Sequence, residues 1–134
     1  KSYRAFGSDL GRDATPLESG LDRFVDLSKE FRGKAAMEAK GLRSACVTVL
    51  IDGPDDADPW GREALLANGE VVGRLTSGGY SVAFGKQIGI GYVSPGLAAP
   101  GTALEVRILG DTYPAEIVAE SPYDPKNTSI RADG

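Results

Sequence analysis

The chain has 134 residues, of which 41% are hydrophobic and 25% are charged, and its formal net charge is -4. A chain of this length forms about one domain, and its scattered basic residues exclude the clustered basic face that sequence-independent nucleic-acid binding requires. With no histidine and a single cysteine, it cannot form an internal disulfide, a Ser-His-Asp triad, a Cys-His pair or the usual zinc sites.

Residues 1–44 carry charges at almost every third position and contain two predicted helices. Pro16, with acidic residues on either side, is typical of a first helical turn and predicts a short helix over residues 16–22. Strong helix formers predict a second helix over residues 33–40, which Gly41 ends.

Beyond this region the pattern turns to β-strands. The branched residues at 45–51 predict an inner strand, and the turn cluster at 52–54 ends it. Short apolar segments at 64–66 and 71–73 flank Asn68-Gly69, which is the strongest short hairpin signal.

The second half of the chain continues with short strands. Residues 87–93 predict one strand, and residues 104–109 alternate between apolar and charged side chains before Gly110-Asp111 turns the chain into residues 113–118. No apolar run reaches the roughly 18 residues that a membrane-spanning helix needs. The spacing of the strands, with 18 Gly and 8 Pro, predicts a mostly β fold, a small Greek-key-like barrel of about six strands preceded by a short helical segment.

Residues 73–80 contain paired glycines that permit two interpretations. Their amides could converge on an anion, although the spacing of a phosphate-binding loop is missing. Alternatively, Gly78-Gly79 permit a bulge or a sharp bend at a barrel corner. Tyr80 could stack on a planar ligand or pack at the barrel rim.

Two groups of carboxylates also permit two interpretations each. Asp55, Asp56 and Asp58 could coordinate calcium, but the twelve-residue calcium loop is missing, which favours a solvated loop. Glu18 and Asp22 share one face of the first predicted helix. They form either an acid-base pair or, more simply, an exposed acidic face.

Two single side chains are better explained by a packing role than by a catalytic role. Cys46 lies in a branched apolar run and is interpreted as a small buried apolar group, because a nucleophilic thiol would need a base that no histidine here supplies. Trp60, followed by a glycine, is interpreted as a packing aromatic at the start of the barrel.

Five segments of the barrel region match a known family when their order and spacing are kept. They resemble the C-terminal barrel of the folate-dependent aminomethyltransferases, a family that contains the glycine cleavage T-protein and the C-terminal half of dimethylglycine and sarcosine dehydrogenases. The resemblance implies one-carbon transfer to tetrahydrofolate by the whole protein. The segments are Asn68 to Tyr80, Gly85 to Ile88, Gly91 to Val93, Gly101 to Val106 and Tyr113 to Val118.

The N-terminal residues extend the resemblance over nearly the whole chain. Residues 1–10, 13–21 and 31–36 resemble the tail of the family's middle domain, in the form nearest the dimethylglycine and sarcosine dehydrogenase branch. The resemblance implies that residues 1–44 end a truncated folate-binding middle domain and that residues 45–134 form the C-terminal barrel. We expect that the chain begins where a larger protein was cut.

The resemblance implies no catalytic residue and no metal ligand in this chain. In the family, the key aspartate near the folate precedes the matched segments. At the other end, Thr128 stands where glycine-cleavage T-proteins carry a tyrosine close to the folate, and Tyr123 is a possible substitute. A filled small barrel has no interior space for folate, so we expect Tyr3, Arg4 and Tyr80 to form only the rim of a shared folate cavity.

The implied cofactors and partners belong to the whole protein. These are tetrahydrofolate, FAD in a missing N-terminal domain if the protein is fused to a flavin dehydrogenase, a methylamine or aminomethyl donor, and the N-terminal domains of the same chain. The isolated chain is expected to be inert, and its location is the cytoplasm, or the mitochondrial matrix in a eukaryote. The alternative is a non-catalytic interaction barrel that packs against partner domains and would expose an apolar patch.

Overall fold

The computed structural model describes residues 1–54 and 56–131, and within them six antiparallel strands close into one barrel. The mostly β fold predicted from the sequence is confirmed. The strands are β1 (Ala45–Ile51), β2 (Ala64–Ala67), β3 (Glu70–Ser81), β4 (Lys86–Val93), β5 (Ala103–Ile108) and β6 (Asp111–Val118). Their order around the barrel is β1-β4-β3-β2-β5-β6, and β6 pairs with β1 to complete the ring.

Two tight hairpin turns set the register of the barrel. Asn68 and Gly69 both have positive φ angles, 53° and 80°, which gives the turn a twist that matches the strands it joins. Leu109 and Gly110 form the second turn, with φ angles of 51° and 101°. This turn lies one residue earlier than the predicted Gly110-Asp111, because Asp111 already belongs to β6.

The inside of the barrel is a continuous apolar core. Alternate residues of β5, namely Leu104, Val106 and Ile108, point inward and are buried, as the sequence alternation predicts. Residues from all six strands complete this core, which leaves the barrel filled with side chains. The buried cluster contains Val47, Val49, Ile51, Leu65, Leu75, Val93, Leu104, Val106, Ile108, Ala115 and Ile117.

Residues 1–44 lie outside the barrel, and one of their two predicted helices is present. Helix α1 (Lys34–Lys40) forms as predicted and ends at Gly41, whose φ is 63°. A short C-terminal helix, α2 (Thr128–Arg131), follows the barrel. None of the helices in the described part of the chain is both long enough and apolar enough to span a membrane.

The helix predicted over residues 16–22 is wrong, although its first turn begins as expected. The N–H of Thr15 donates to Glu18 Oε2 at 2.7 Å, and the N–H of Glu18 donates to Thr15 Oγ1 at 3.2 Å, the reciprocal pair of a capping box. The helix stops because the Glu18 carbonyl accepts the N–H of Cys46 on β1 at 2.8 Å, so this acceptor does not serve a next helical turn. Gly20 then leaves the helical conformation at a φ of 66°.

Candidate functional site

The first candidate site, here called the tyrosine cleft, lies between the N-terminal residues and the outer face of the barrel. Its volume is about 360 Å³. On its floor, Thr48 of β1 pairs with Ile90 of β4, and Ile88 lies two residues further along the same outward face. The lining residues are Lys1, Ser2, Tyr3, Thr48, Ser77, Gly78, Gly79, Tyr80, Ile88, Gly89 and Ile90.

Tyr3 and Tyr80 line this cleft from two different parts of the chain. Tyr3, on the N-terminal segment, is 76% exposed, and Tyr80, near the end of β3, is 53% exposed. Ser2 holds the segment in place, since its Oγ lies 2.8 Å from Thr48 Oγ1. The cleft therefore presents two accessible aromatic rings beside an isoleucine floor, an arrangement that can flank a flat ligand.

Arg4 does not line the tyrosine cleft, and its contacts are structural. Its Nε donates to Cys46 Sγ at 3.1 Å, and its terminal nitrogen forms an ion pair with Glu120. The Arg4 side chain is 9% exposed. It therefore joins the N-terminal segment to β1 and to the segment after β6.

The Cys46 thiol has no activating environment. Burial raises its pKa, and this effect outweighs the hydrogen bond from Arg4, which lowers it. A thiol with a raised pKa holds little thiolate at neutral pH. This environment supports the structural role that the sequence predicts for Cys46.

Asp9 is a buried polar anchor that no sequence motif had indicated. It is 4% exposed, and its carboxylate accepts hydrogen bonds from Thr76 Oγ1 at 2.6 Å, from Ser77 Oγ at 2.7 Å and from the N–H of Ala5 at 2.9 Å. These bonds fix the loop that follows Tyr3 onto β3. No local pattern could reveal them, because the loop and the strand are far apart in sequence.

Tyr92 joins the same loop to the neighbouring strand β4. Its hydroxyl donates to the Asp9 carbonyl at 2.8 Å and lies 2.9 Å from Ser19 Oγ. Burial raises the pKa of Tyr92, against the lowering effect of the Ser19 hydrogen bond. Tyr92 is therefore a neutral hydroxyl that ties residues 1–44 to β4.

The carboxylate pair predicted at Glu18 and Asp22 does not form, and neither does the exposed acidic face. Glu18 is 1% exposed, and its Oε1 accepts hydrogen bonds from the N–H and Nε of Arg43 at 3.0 and 3.1 Å, whereas Asp22 is exposed. Burial acts to raise the pKa of Glu18, but hydrogen bonds from Arg43 and Thr15 prevail and lower it from 4.5 to about 2. Glu18 is thus a structural carboxylate that stays ionised.

The glycine pair of β3 does not form a bulge. Gly78 and Gly79 pair regularly with β4, and the register shift lies earlier, between Leu75 and Ser77. Gly78 is required for another reason, because a Cβ there would lie 2.6 Å from Cγ of Pro59. The side chain of Pro59 fills this space and is buried.

The packing role predicted for Trp60 is wrong, since this side chain is 88% exposed. The calcium interpretation depends on Asp55, which lies outside the described residues, while Asp56 and Asp58 are exposed. Within residues 1–54 and 56–131, no three His, Cys, Asp or Glu side chains lie together as metal ligands would.

The C-terminal residues pack against Lys1 at the edge of the tyrosine cleft. Lys1 Nζ donates to Asp124 Oδ2 at 3.0 Å and to Asn127 Oδ1 at 2.8 Å, and it lies 5.6 Å from the centre of the Tyr123 ring. Thr128 donates its N–H to Asp124 Oδ1 at 2.7 Å. Tyr123 is therefore near the cleft edge but is held by Lys1.

Comparisons with known proteins agree on one family. Residues 44–124, more than half of the chain, match the glycine cleavage T-protein C-terminal barrel domain. Rat mitochondrial dimethylglycine dehydrogenase is 41% identical, and the match covers 100% of this chain and 16% of the relative. The probable aminomethyltransferase of Thermococcus kodakarensis is 38% identical over 94% of this chain and 32% of its own length. The chain thus spans about a third or less of these relatives.

A solved structure supports the fold. The glycine cleavage system aminomethyltransferase T from Bartonella henselae superposes with a TM-score of 0.74 at 23% sequence identity. The superposition covers 85% of this chain and 33% of the Bartonella chain. At this identity the likeness concerns the barrel architecture.

Proposed function

The chain belongs to the glycine cleavage T-protein C-terminal barrel family, and from this premise we propose that it is the barrel domain of a longer folate-dependent one-carbon transferase. The whole protein takes a one-carbon unit from an amine or iminium donor and gives it to tetrahydrofolate. The observation that carries the proposal is the family match over residues 44–124. Relatives named aminomethyltransferase and dimethylglycine dehydrogenase support this reaction class.

The proposed domain boundary lies between residues 44 and 45. Residues 1–44 are then the end of a folate-binding middle domain, and residues 45–134 are the C-terminal barrel. The start of β1 at Ala45 supports this division, as do the polar contacts through which Asp9 and Glu18 attach the first part to the second.

The barrel contributes a wall, and the remaining domains contribute the rest of the folate site. The apolar core fills the barrel, so folate has to lie outside it. The tyrosine cleft, at about 360 Å³, is near the lower limit for a small-molecule site. Its two exposed rings and its apolar floor fit one face of a flat, partly aromatic cofactor.

We assign Tyr3 and Tyr80 to the rim of that shared cavity. Arg4 is the least direct of the three proposed rim residues, because its guanidinium is engaged by Cys46 and Glu120. Its role is to hold the segment that carries Tyr3. Tetrahydrofolate, when bound, accepts the one-carbon unit, and the part played by this chain is to bind and orient it.

The longer protein is further proposed to be fused to a flavin-dependent dimethylglycine or sarcosine dehydrogenase. The match to rat dimethylglycine dehydrogenase over 100% of the chain supports the fusion. FAD would then bind in an N-terminal domain, since no dinucleotide fingerprint occurs here. The word "mitochondrial" in that relative's name supports a matrix location in a eukaryote, with the cytoplasm as the location otherwise.

A non-catalytic interaction barrel is the second candidate function. Its support comes from aromatic side chains that no described contact covers, such as Phe6 at 92% and Trp60 at 88% exposure. Large exposed aromatics are enriched at protein interfaces. In this case the barrel would pack against partner domains and bind no cofactor.

Calorimetry separates the two functions. Reduced tetrahydrofolate is titrated into the 134-residue chain and into the full-length protein. The transferase proposal expects binding by the full-length protein and none by the short chain, because the barrel supplies one wall only. If the full-length protein does not bind tetrahydrofolate, the interaction barrel takes the place of the transferase. Methylamine turnover by the short chain would contradict its proposed inertness.

A further inference from the structure

A second and larger cleft, here called the arginine cleft, lies on the other side of the Asp9 anchor. Its volume is about 660 Å³, well within the range of small-molecule sites. One wall is the loop that contains residues 7–14, and the other is formed by the Trp60–Arg62 turn and the first half of β3. The proposed folate role uses none of these residues.

The Trp60–Arg62 turn is held rigidly on β3. The two Glu63 carboxylate oxygens accept the N–H groups of Trp60 and Gly61, each at 2.8 Å, and the N–H of Arg62 donates to the Leu75 carbonyl at 2.8 Å. Gly61 has a φ of 103°, and a Cβ there would lie 2.4 Å from the Thr76 carbonyl oxygen.

The backbone of this turn is also strained. Arg62 has a φ of 80°, a conformation uncommon for residues other than glycine, and such conformations cluster at active sites and ligand-binding positions. Trp60, whose ring is 88% exposed, stands next to it on the cleft wall. The indole of Trp60 and the guanidinium of Arg62 thus belong to neighbouring positions on one cleft wall.

The charges of the cleft favour an anion at this wall. Arg62 and Arg74 line it, both are exposed, and the part of the chain that the structure describes gives neither of them an ion pair. Arg43 also lines the cleft but is already paired with Glu18. The Asp9 carboxylate is occupied by hydrogen bonds to β3, and Asp13 lies on the opposite loop.

We propose that the arginine cleft binds a small organic anion in which a carboxylate or phosphate group is attached to a flat ring. The ring stacks on Trp60. The anionic group is bound by the guanidinium groups of Arg62 and Arg74, which suit planar oxyanions. This site is separate from the tyrosine cleft, and it does not depend on the proposed folate function.

The test uses the only tryptophan of the chain as its reporter. Phenyl phosphate is titrated into the 134-residue chain, whose closed barrel and core support independent folding, while Trp60 fluorescence is recorded. We expect a saturable fluorescence change with a dissociation constant below about 10 mM. Inorganic phosphate should bind about tenfold more weakly because it cannot stack, and benzyl alcohol should not bind because it lacks the charge.

Arginine variants locate the anion. The double variant Arg62→Gln/Arg74→Gln should weaken phenyl phosphate at least about tenfold, whereas the matched control Arg107→Gln, exposed on β5, should change the affinity less than about twofold. Calorimetry with Trp60→Ala gives a reading that is independent of fluorescence and should also show weaker binding.

The proposal is overturned if no saturable change occurs with phenyl phosphate, or if the double variant binds it as well as the unchanged chain does. Equal binding of benzyl alcohol would equally overturn it, because the arginines would then have no part. Circular dichroism of each variant shows that the barrel is intact, so a loss of binding can be assigned to the cleft.

Discussion

The barrel and the N-terminal segment are stabilised in different ways. In residues 45–118, alternating apolar side chains meet in a core that includes fully buried Leu65 and Val106. In residues 1–44, Met37 is the one buried hydrophobic residue among the described positions, and the attachment to the barrel depends on polar groups such as Asp9. The comparison teaches that one part of the chain is specified by its own hydrophobic pattern and the other by the surface on which it lies.

The largest expected effect comes from opening a cavity in the barrel. Leu65→Ala should lower the free energy of unfolding by about 3 kcal/mol, because Leu65 is completely buried. Leu109→Ala is the matched control, since Leu109 is 89% exposed at a hairpin turn, and it should cost less than about 0.5 kcal/mol. Urea denaturation of both variants measures the difference, and equal costs would refute the barrel core described above.

The next effect should separate the two regions. Asp9→Ala removes the acceptor of Thr76, Ser77 and Ala5, and should cost about 2 kcal/mol. Limited proteolysis should then cleave within the first 44 residues while the barrel stays intact. Asp22→Ala serves as the control, because Asp22 is exposed. An Asp9 variant as resistant to protease as the unchanged chain would mean that other contacts hold the segment.

A smaller effect is expected from pH, through Glu18. Its pKa is about 2 in the folded chain and 4.5 ordinarily, so the unfolded chain binds its proton first as the pH falls. The stability that Glu18 contributes is therefore complete above pH 4.5 and is lost as the pH falls towards 2.

Glu18→Gln removes this titration and tests the sign directly. The variant should be less stable at neutral pH, by about 1 kcal/mol, and the difference from the unchanged chain should shrink between pH 4.5 and 2. Asp124, whose pKa is also lowered to about 2, titrates in both proteins and cancels in the comparison. A difference that is constant across this range would contradict the assignment.

The smallest effect on stability, with a clear effect on binding, is expected at the tyrosine cleft. Tyr80→Ala should change the free energy of unfolding by less than about 0.5 kcal/mol, because Tyr80 is half exposed. In the full-length protein, this substitution should weaken the binding of tetrahydrofolate about tenfold, which is the contribution of one aromatic contact. Leu109→Ala, at a residue that does not line the cleft, should leave the affinity unchanged in the same calorimetric titration.

The barrel could be predicted because its signals are local. Strand alternation, the branched run at 45–51 and the Asn68-Gly69 turn each act within a few residues. The prediction for residues 1–44 failed where tertiary contacts decide the structure. The helix over 16–22 stops because the Glu18 carbonyl binds Cys46 on β1, and no pattern near Glu18 signals that distant strand.

The three residues proposed for the rim of a folate cavity do not all lie together. Tyr3 and Tyr80 line one cleft, whereas Arg4 contacts Cys46 and Glu120, and the proposed role of all three in binding folate stays a prediction. The Asp9 anchor was missed because its partners come from a strand more than sixty residues away. The exposure of Trp60 was missed because the sequence does not reveal that its neighbour Pro59 fills the pocket at Gly78.

Hydrogen exchange on the full-length protein tests the central claim most directly, that the outer face of this barrel forms one wall of the folate site. Amide exchange is compared with and without tetrahydrofolate. The account predicts added protection at residues 2–4 and 78–81, which border the tyrosine cleft, and no change at the hairpin around residues 109–110. Binding of tetrahydrofolate without added protection at the cleft would contradict it.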